Sequence, residues 1–209
     1  MYFFSMSGIF IILMTFSSFF STFATDILPQ NDSYPRCLQI KERQYIEHID
    51  LDGSYPELEF IDIDAIRKKR VDFFLTGDFP ALQEILYRGS FGLLKGTFSG
   101  EFPLLNKIMI ACGSSEMKLN FVAPWQRDCL ITVTNKEQDM HITCPSNVGV
   151  IIHTKVSWKG KVKILNGLQQ KSRGLCRKTF QNKLVGSSPI LLTFNLESHQ
   201  GGTIFLNVE

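Results

Sequence analysis

Cysteine and histidine are sparse and badly spaced for metal: the chain has no C-x-x-C pair, and its four histidines and five cysteines form no ligand cluster. Cys112-Gly113-Ser114-Ser115 lacks the nucleophile-elbow pattern, and Gly92-Leu93-Leu94-Lys95-Gly96-Thr97 misses the spacing of a phosphate-binding loop. No cofactor or metal is therefore expected, and no residue is assigned a catalytic role. Fifteen glycines and eight prolines in 209 residues are too few for a low-complexity chain, while 44% hydrophobic residues suffice for one sizeable core. Two further absences concern charge. Residues 1–25 have no charged side chain, and residues 140–196 have no acid.

The uncharged start reads as a signal peptide over residues 1–24. Ile9 to Phe16 form its apolar stretch, and Thr22 and Ala24 place small residues at the −3 and −1 positions of a cleavage site. No later apolar run approaches the roughly twenty residues of a membrane span. The expected product is secreted and extracellular. In an oxidising compartment, Cys112, Cys129, Cys144 and Cys176 are candidates for two disulfides, with three pairings open. Cys37 is then the odd thiol, free or bridging a dimer. Asn31-Asp32-Ser33 is a glycosylation sequon.

Charge divides the mature chain. Residues 25–66 carry ten acids against three bases, whereas residues 71–209 carry ten acids against fifteen bases. Between them lies Arg67-Lys68-Lys69-Arg70, a candidate processing site resembling the R-x-K-R motif of furin-like convertases. Cutting there would leave 139 residues with four cysteines. The division into domains is thus a signal peptide over 1–24, an acidic segment over 25–70 that is a propeptide or edge strands, and a β-rich domain over 71–209.

Helical pattern is scarce. The best segment is Asp78 to Arg88, with Asp78 as N-cap, Pro80 in the first turn, Leu82, Ile85 and Leu86 on one face, and Gly89 as the stop. The rest alternates as strands do, for example Met117-Lys118-Leu119-Asn120-Phe121 and Lys161-Val162-Lys163-Ile164. Residues 190–197 and 203–208 read as a hairpin closed by Gly201-Gly202. No internal repeat is evident. Together these features predict a mainly β fold: an antiparallel β-sandwich or barrel-like domain with one short helix, stabilised by disulfides.

The acid-free region supplies the strongest surface signal. Lys155, Lys159, Lys161, Lys163, Lys171, Arg173, Arg177 and Lys178 cluster around Trp158 in sequence, as a basic face with an aromatic beside it. Such a face suits a sulfated glycan or an acidic protein partner, with nucleic acid a further polyanion of the same class. His141 and His153 are the one hypothetical acid–base pair. Ser33-Tyr34-Pro35-Arg36-Cys37 resembles the aromatic-x-Cys signature of secreted powdery-mildew effectors, with one extra residue before the cysteine, and no site is carried over. The leading expectation is a secreted, non-enzymatic binding protein with a basic C-terminal face. A secreted pathogen or parasite effector acting on host protein or RNA comes second, and a secreted hydrolase or ribonuclease third.

Overall fold

The computed structural model describes residues 36–40, 47–66 and 70–209. The leader, Asn31 and Arg67 to Lys69 lie outside the described residues. Fourteen strands and no helix make up the described residues. They are β1 (Cys37–Ile40), β2 (His48–Leu51), β3 (Phe60–Ala65), β4 (Arg70–Leu75), β5 (Glu84–Phe98), β6 (Lys107–Phe121) and β7 (Cys129–Asn135). There follow β8 (Met140–Cys144), β9 (Gly149–Val156), β10 (Lys161–Ile164), β11 (Gln169–Arg173), β12 (Arg177–Gln181), β13 (Leu191–Ser198) and β14 (Thr203–Val208).

Mainly β is right, but the expected antiparallel sandwich is not what forms. Phe60 pairs with Glu84, Glu84 with Lys107 and Lys107 with Leu130, all in parallel strands. The chain therefore returns to the same level every 23 or 24 residues, and each turn stacks on the last as a rung of a solenoid. Two walls result. One runs β1-β3-β5-β6-β7-β13-β9, and the other runs β2-β4-β5-β6-β8-β14-β10, with the long strands β5 and β6 shared by both. Alternation along most strands buries one side in a common core and leaves the other wet, β10 and the described residues of β11 being the exceptions. Alternation reports which face is buried, not the direction of the neighbour, which is why the sequence pattern was compatible with either pairing.

The 23-residue period corrects the expectation of no repeat. Leu51-x-Gly53-x-Tyr55-Pro56-x-Leu58, Leu75-x-Gly77-x-Phe79-Pro80-x-Leu82 and Phe98-x-Gly100-x-Phe102-Pro103-x-Leu105 are successive copies of one corner. In that corner Tyr55, Phe79, Phe102 and Trp125 form a ladder with ring centroids 5.1, 5.4 and 6.2 Å apart. A second ladder, Phe73, Phe98 and Phe121, ends on Phe194 of the facing wall, 5.3 Å away edge-on. Each such pair adds about 0.5–1.5 kcal/mol beyond area burial. The corner also explains the misread helix. Phe79 and Leu82 are buried at the bend, and Ile85 and Tyr87 then point inward from β5 while Leu86 points out. A buried bend followed by strand alternation mimics helical spacing over ten residues.

Disulfides are absent too: all five cysteines are free, with Cys112, Cys129 and Cys144 buried and Cys37 and Cys176 exposed. Register gives one reason. Lys107 lies opposite Leu130, so Cys129 is level with Asn106, six residues before Cys112 along β6. At strand rise that is about 20 Å, far beyond disulfide reach. Arg70 opens β4, which is paired on both sides with β2 and β5, and Val71, Phe73 and Leu75 are buried.

The last rungs are out of chain order. From β8 the chain passes to β9 and β10, then to the antiparallel β11–β12 pair against β9, and only then to β13 and β14. β13 inserts between β7 and β9, and β14 between β8 and β10, all in parallel. The expected C-terminal hairpin is thus two strands of one rung that do not pair with each other. Two carboxylates fix where the inserted strands begin: Asp128 accepts from the Leu191 N–H at 2.7 Å and Asp139 from the Thr203 N–H at 2.6 Å. Asn182 brackets the excursion. Its Nδ2 donates to the Val148 carbonyl at 2.7 Å, and its Oδ1 accepts from the N–H groups of Val150 and Leu184.

Candidate functional site

Outward-facing side chains of neighbouring strands line up in rows across each wall, because register partners share a face. At the C-terminal end of the first wall one row reads Thr132, Asn195, His153, Thr179, and the next reads Thr134, Glu197, Lys155, Arg177. Between these rows lies an open groove of about 400 Å³, lined chiefly by His153, Lys155, Arg177, Lys178, Asn195 and Glu197. Sequence separations of forty residues collapse here into adjacent strands because β13 inserts beside β9.

Lys155 and Arg177 stand in one row with Glu197 in this groove, and Lys178 borders it from the register position of buried Thr154. Lys155 donates to Glu197 at 3.1 Å, and His199 lies 3.7 Å from the same carboxylate. This is a half-exposed pair worth at most about 1 kcal/mol. Among the described residues Arg177 and Lys178 have no acidic partner. The His153 ring nitrogen Nδ1 is 3.2 Å from the Thr179 hydroxyl, which orients the imidazole at the groove wall. The surplus is positive, and a concave surface with excess charge of one sign concentrates counter-ions. Chemically the arrangement can hold a sulfate, carboxylate or phosphate with two cations and offer neutral donors beside it.

The basic residues singled out in the sequence are not all on this face. Lys155, Arg177 and Lys178 line the groove. Trp158 and Lys159 occupy the turn after β9, with the lysine ammonium 5.0 Å from the indole centroid. Lys161 and Lys163 belong to β10 on the other wall, where Lys163 sits 5.2 Å over the ring of Phe205. Lys171 and Arg173 lie on β11, beyond the groove. His141 and His153 are likewise parted: His141 is on β8, stacked on Phe205 at 4.4 Å, and His153 is on β9 of the other wall. They do not form an acid–base pair. Among the described residues no three His, Cys, Asp or Glu side chains converge as a metal site.

Asn195, Glu197 and Thr179 contribute to the groove without a sequence signal pointing to them. The only hint available was the repeat itself, which would have aligned outward positions rung by rung.

The buried thiols belong to the core. Burial pushes Cys112 and Cys129 each up to about 12, and raises Cys144 further. They are unsuited to nucleophilic or metal chemistry near neutrality.

No protein-family model and no curated protein matches the chain. Among solved structures, a crystal structure titled as a "putative cell adhesion protein" from Clostridium sporogenes is similar at 14% identity and a TM-score of 0.49. The match covers 67% of this chain and 57% of that one, so the chain spans little more than half of its length.

Proposed function

We propose that the protein is a secreted, non-enzymatic binding module whose basic groove takes an anionic glycan, sulfated chains above all. The observation that carries this reading is that Lys155 and Arg177 share one row of the groove, with Lys178 at its border, in a stretch of chain without acids, against the single carboxylate of Glu197. A linear polyanion fits better than a compact acidic protein, because the groove is open and its cations stand along one row of side chains.

The test is retention on immobilised heparin over a salt gradient, for the wild type and for R177A/K178A. Screening should weaken the wild-type interaction steeply, and the double variant should bind about tenfold more weakly with its melting temperature unchanged. Absence of binding to any polyanion at low salt would overturn the reading. Product analysis after incubation with heparin and with RNA is the second arm. Chain cleavage lost in H153A would replace the binding module by a hydrolase using His153 beside Glu197.

A further inference from the structure

We infer that the two tips at the C-terminal end of the first wall, residues 157–160 and 174–176, form a docking surface for an anionic lipid bilayer. Trp158 is 85% exposed and Leu175 is 99% exposed, whereas the other tryptophan, Trp125, is 5% exposed in the aromatic ladder. Isolated exposed side chains are ordinary, but these two stand on turns at the same end of one wall. Arg177 lies opposite Lys155 in antiparallel register, and the Val156 N–H donates to the Cys176 carbonyl at 2.8 Å. Continuing that register puts Leu175 level with Ser157, one residue from Trp158. Gly174 permits the tight reversal, since a Cβ there would meet the Arg177 carbonyl oxygen at 2.4 Å.

A basic collar stands behind the apolar tips. Lys159 lies over the Trp158 ring, and Lys155 and Arg177 follow on the strands leading to the tips. The acids nearby are Glu197, already held by Lys155, and Glu137, which shares a cavity of about 380 Å³ with Trp158 and Lys159. An indole settles at the boundary between headgroups and acyl chains, a leucine passes further in, and cations at the collar meet lipid phosphates and serine headgroups. A glycan gives Leu175 no role. A protein partner would require a contiguous buried patch, whereas two protruding tips with charges behind them offer none.

The experiment uses the full-length secreted chain with vesicles of phosphatidylserine and phosphatidylcholine, and with phosphatidylcholine alone. Binding is read by co-sedimentation, and insertion by the blue shift of Trp158 emission and its quenching by brominated lipid, the buried Trp125 giving a constant background. Wild type should bind the serine-containing vesicles and show both optical changes. W158S/L175S alters only exposed side chains, and should lose at least about tenfold in vesicle affinity while heparin retention is unchanged. R177A/K178A should weaken both. The inference fails if W158S/L175S binds vesicles like the wild type, if no blue shift or quenching accompanies binding, or if heparin alone shifts Trp158 emission, which would assign the tips to the glycan groove. Loss of heparin binding with vesicle insertion retained would overturn the glycan reading and leave this one standing.

Discussion

Several charges of the first rungs are paired along or between strands, whereas the basic residues of the last rungs stand largely alone. Arg88 holds Asp62 at 2.7 Å, Lys107 holds Glu84 at 2.7 Å, Arg70 holds Asp72 at 2.8 Å and Arg36 lies 3.8 Å from Glu59. Asp62 and Glu84 are thus held by bases on the following rung, Glu59 by one on the preceding rung and Asp72 by one on its own strand. Among the described residues of the C-terminal rungs Lys155 has such a partner, Lys159 and Lys163 lie over aromatic rings, and Arg177 and Lys178 have no acidic partner. The two ends also differ in how their backbones are held. Near the N-terminus glycine corners stack directly on one another. Near the C-terminus the rungs are out of chain order, and side chains such as Asn182, Asp128 and Asp139 satisfy the backbone groups that the excursion exposes. Charges that serve folding are paired, and charges left unpaired on a rigid wall are available to a ligand.

Breaking the glycine corner should have the largest effect. A Cβ at Gly77 would meet the Gly53 carbonyl oxygen at 2.0 Å, and that oxygen accepts from Asp78 N–H at 2.9 Å. Gly77→Ala is expected to cost more than about 3 kcal/mol, read by urea unfolding. A loss under about 1 kcal/mol would show that the corner can open.

The counterpart at the other end is Asn182→Ala, which leaves the Val148 carbonyl and the Val150 and Leu184 N–H groups without their side-chain partner. About 2 kcal/mol should be lost, with hydrogen exchange rising first in β9 and β12. Uniform exchange across all rungs would mean the two ends unfold as one unit.

At neutral pH the smallest effect is that of the thiols. Because burial raises Cys112 and Cys129 from about 9 to about 12, the folded state keeps protons that the unfolded chain has released. Stability is therefore full below about pH 9 and falls as pH rises towards 12. Burial raises Tyr87 in the same sense. At pH 8 an alkylating reagent should modify Cys37 and Cys176 and spare the other three until denaturant is added, as counted by intact mass. Modification of Cys112 in the native chain would contradict the core described above.

Much of the strand content was legible because alternation of side chains is a local signal. Lys118, Asn120 and Lys163 face outward, as their spacing implied. Direction and pairing were not legible from alternation, since Met117-Lys118-Leu119 buries the same face beside either kind of neighbour. The repeat was present in the corner motifs around Gly53, Gly77 and Gly100, but the three positions between their fixed residues differ in every copy, which dilutes the period. The helix from Asp78 was misread because Leu82 sits in a bend. The cysteines were misread because secretion was expected and pairing with it, while their register along β6 and β7 keeps Cys112 and Cys129 apart.

By itself the sequence determined the β content, the charge division between the two halves, and the acid-free basic stretch, because each is a property of composition or of nearest neighbours. The tertiary structure decided that the strands run parallel, that residues 191–208 form a rung between two earlier ones, and that Lys155, Arg177 and Glu197 share a groove while Lys161 and Lys163 lie on the opposite wall. Those outcomes depend on contacts between residues tens of positions apart. Their energies come from core packing and backbone pairing across rungs, which no local pattern records.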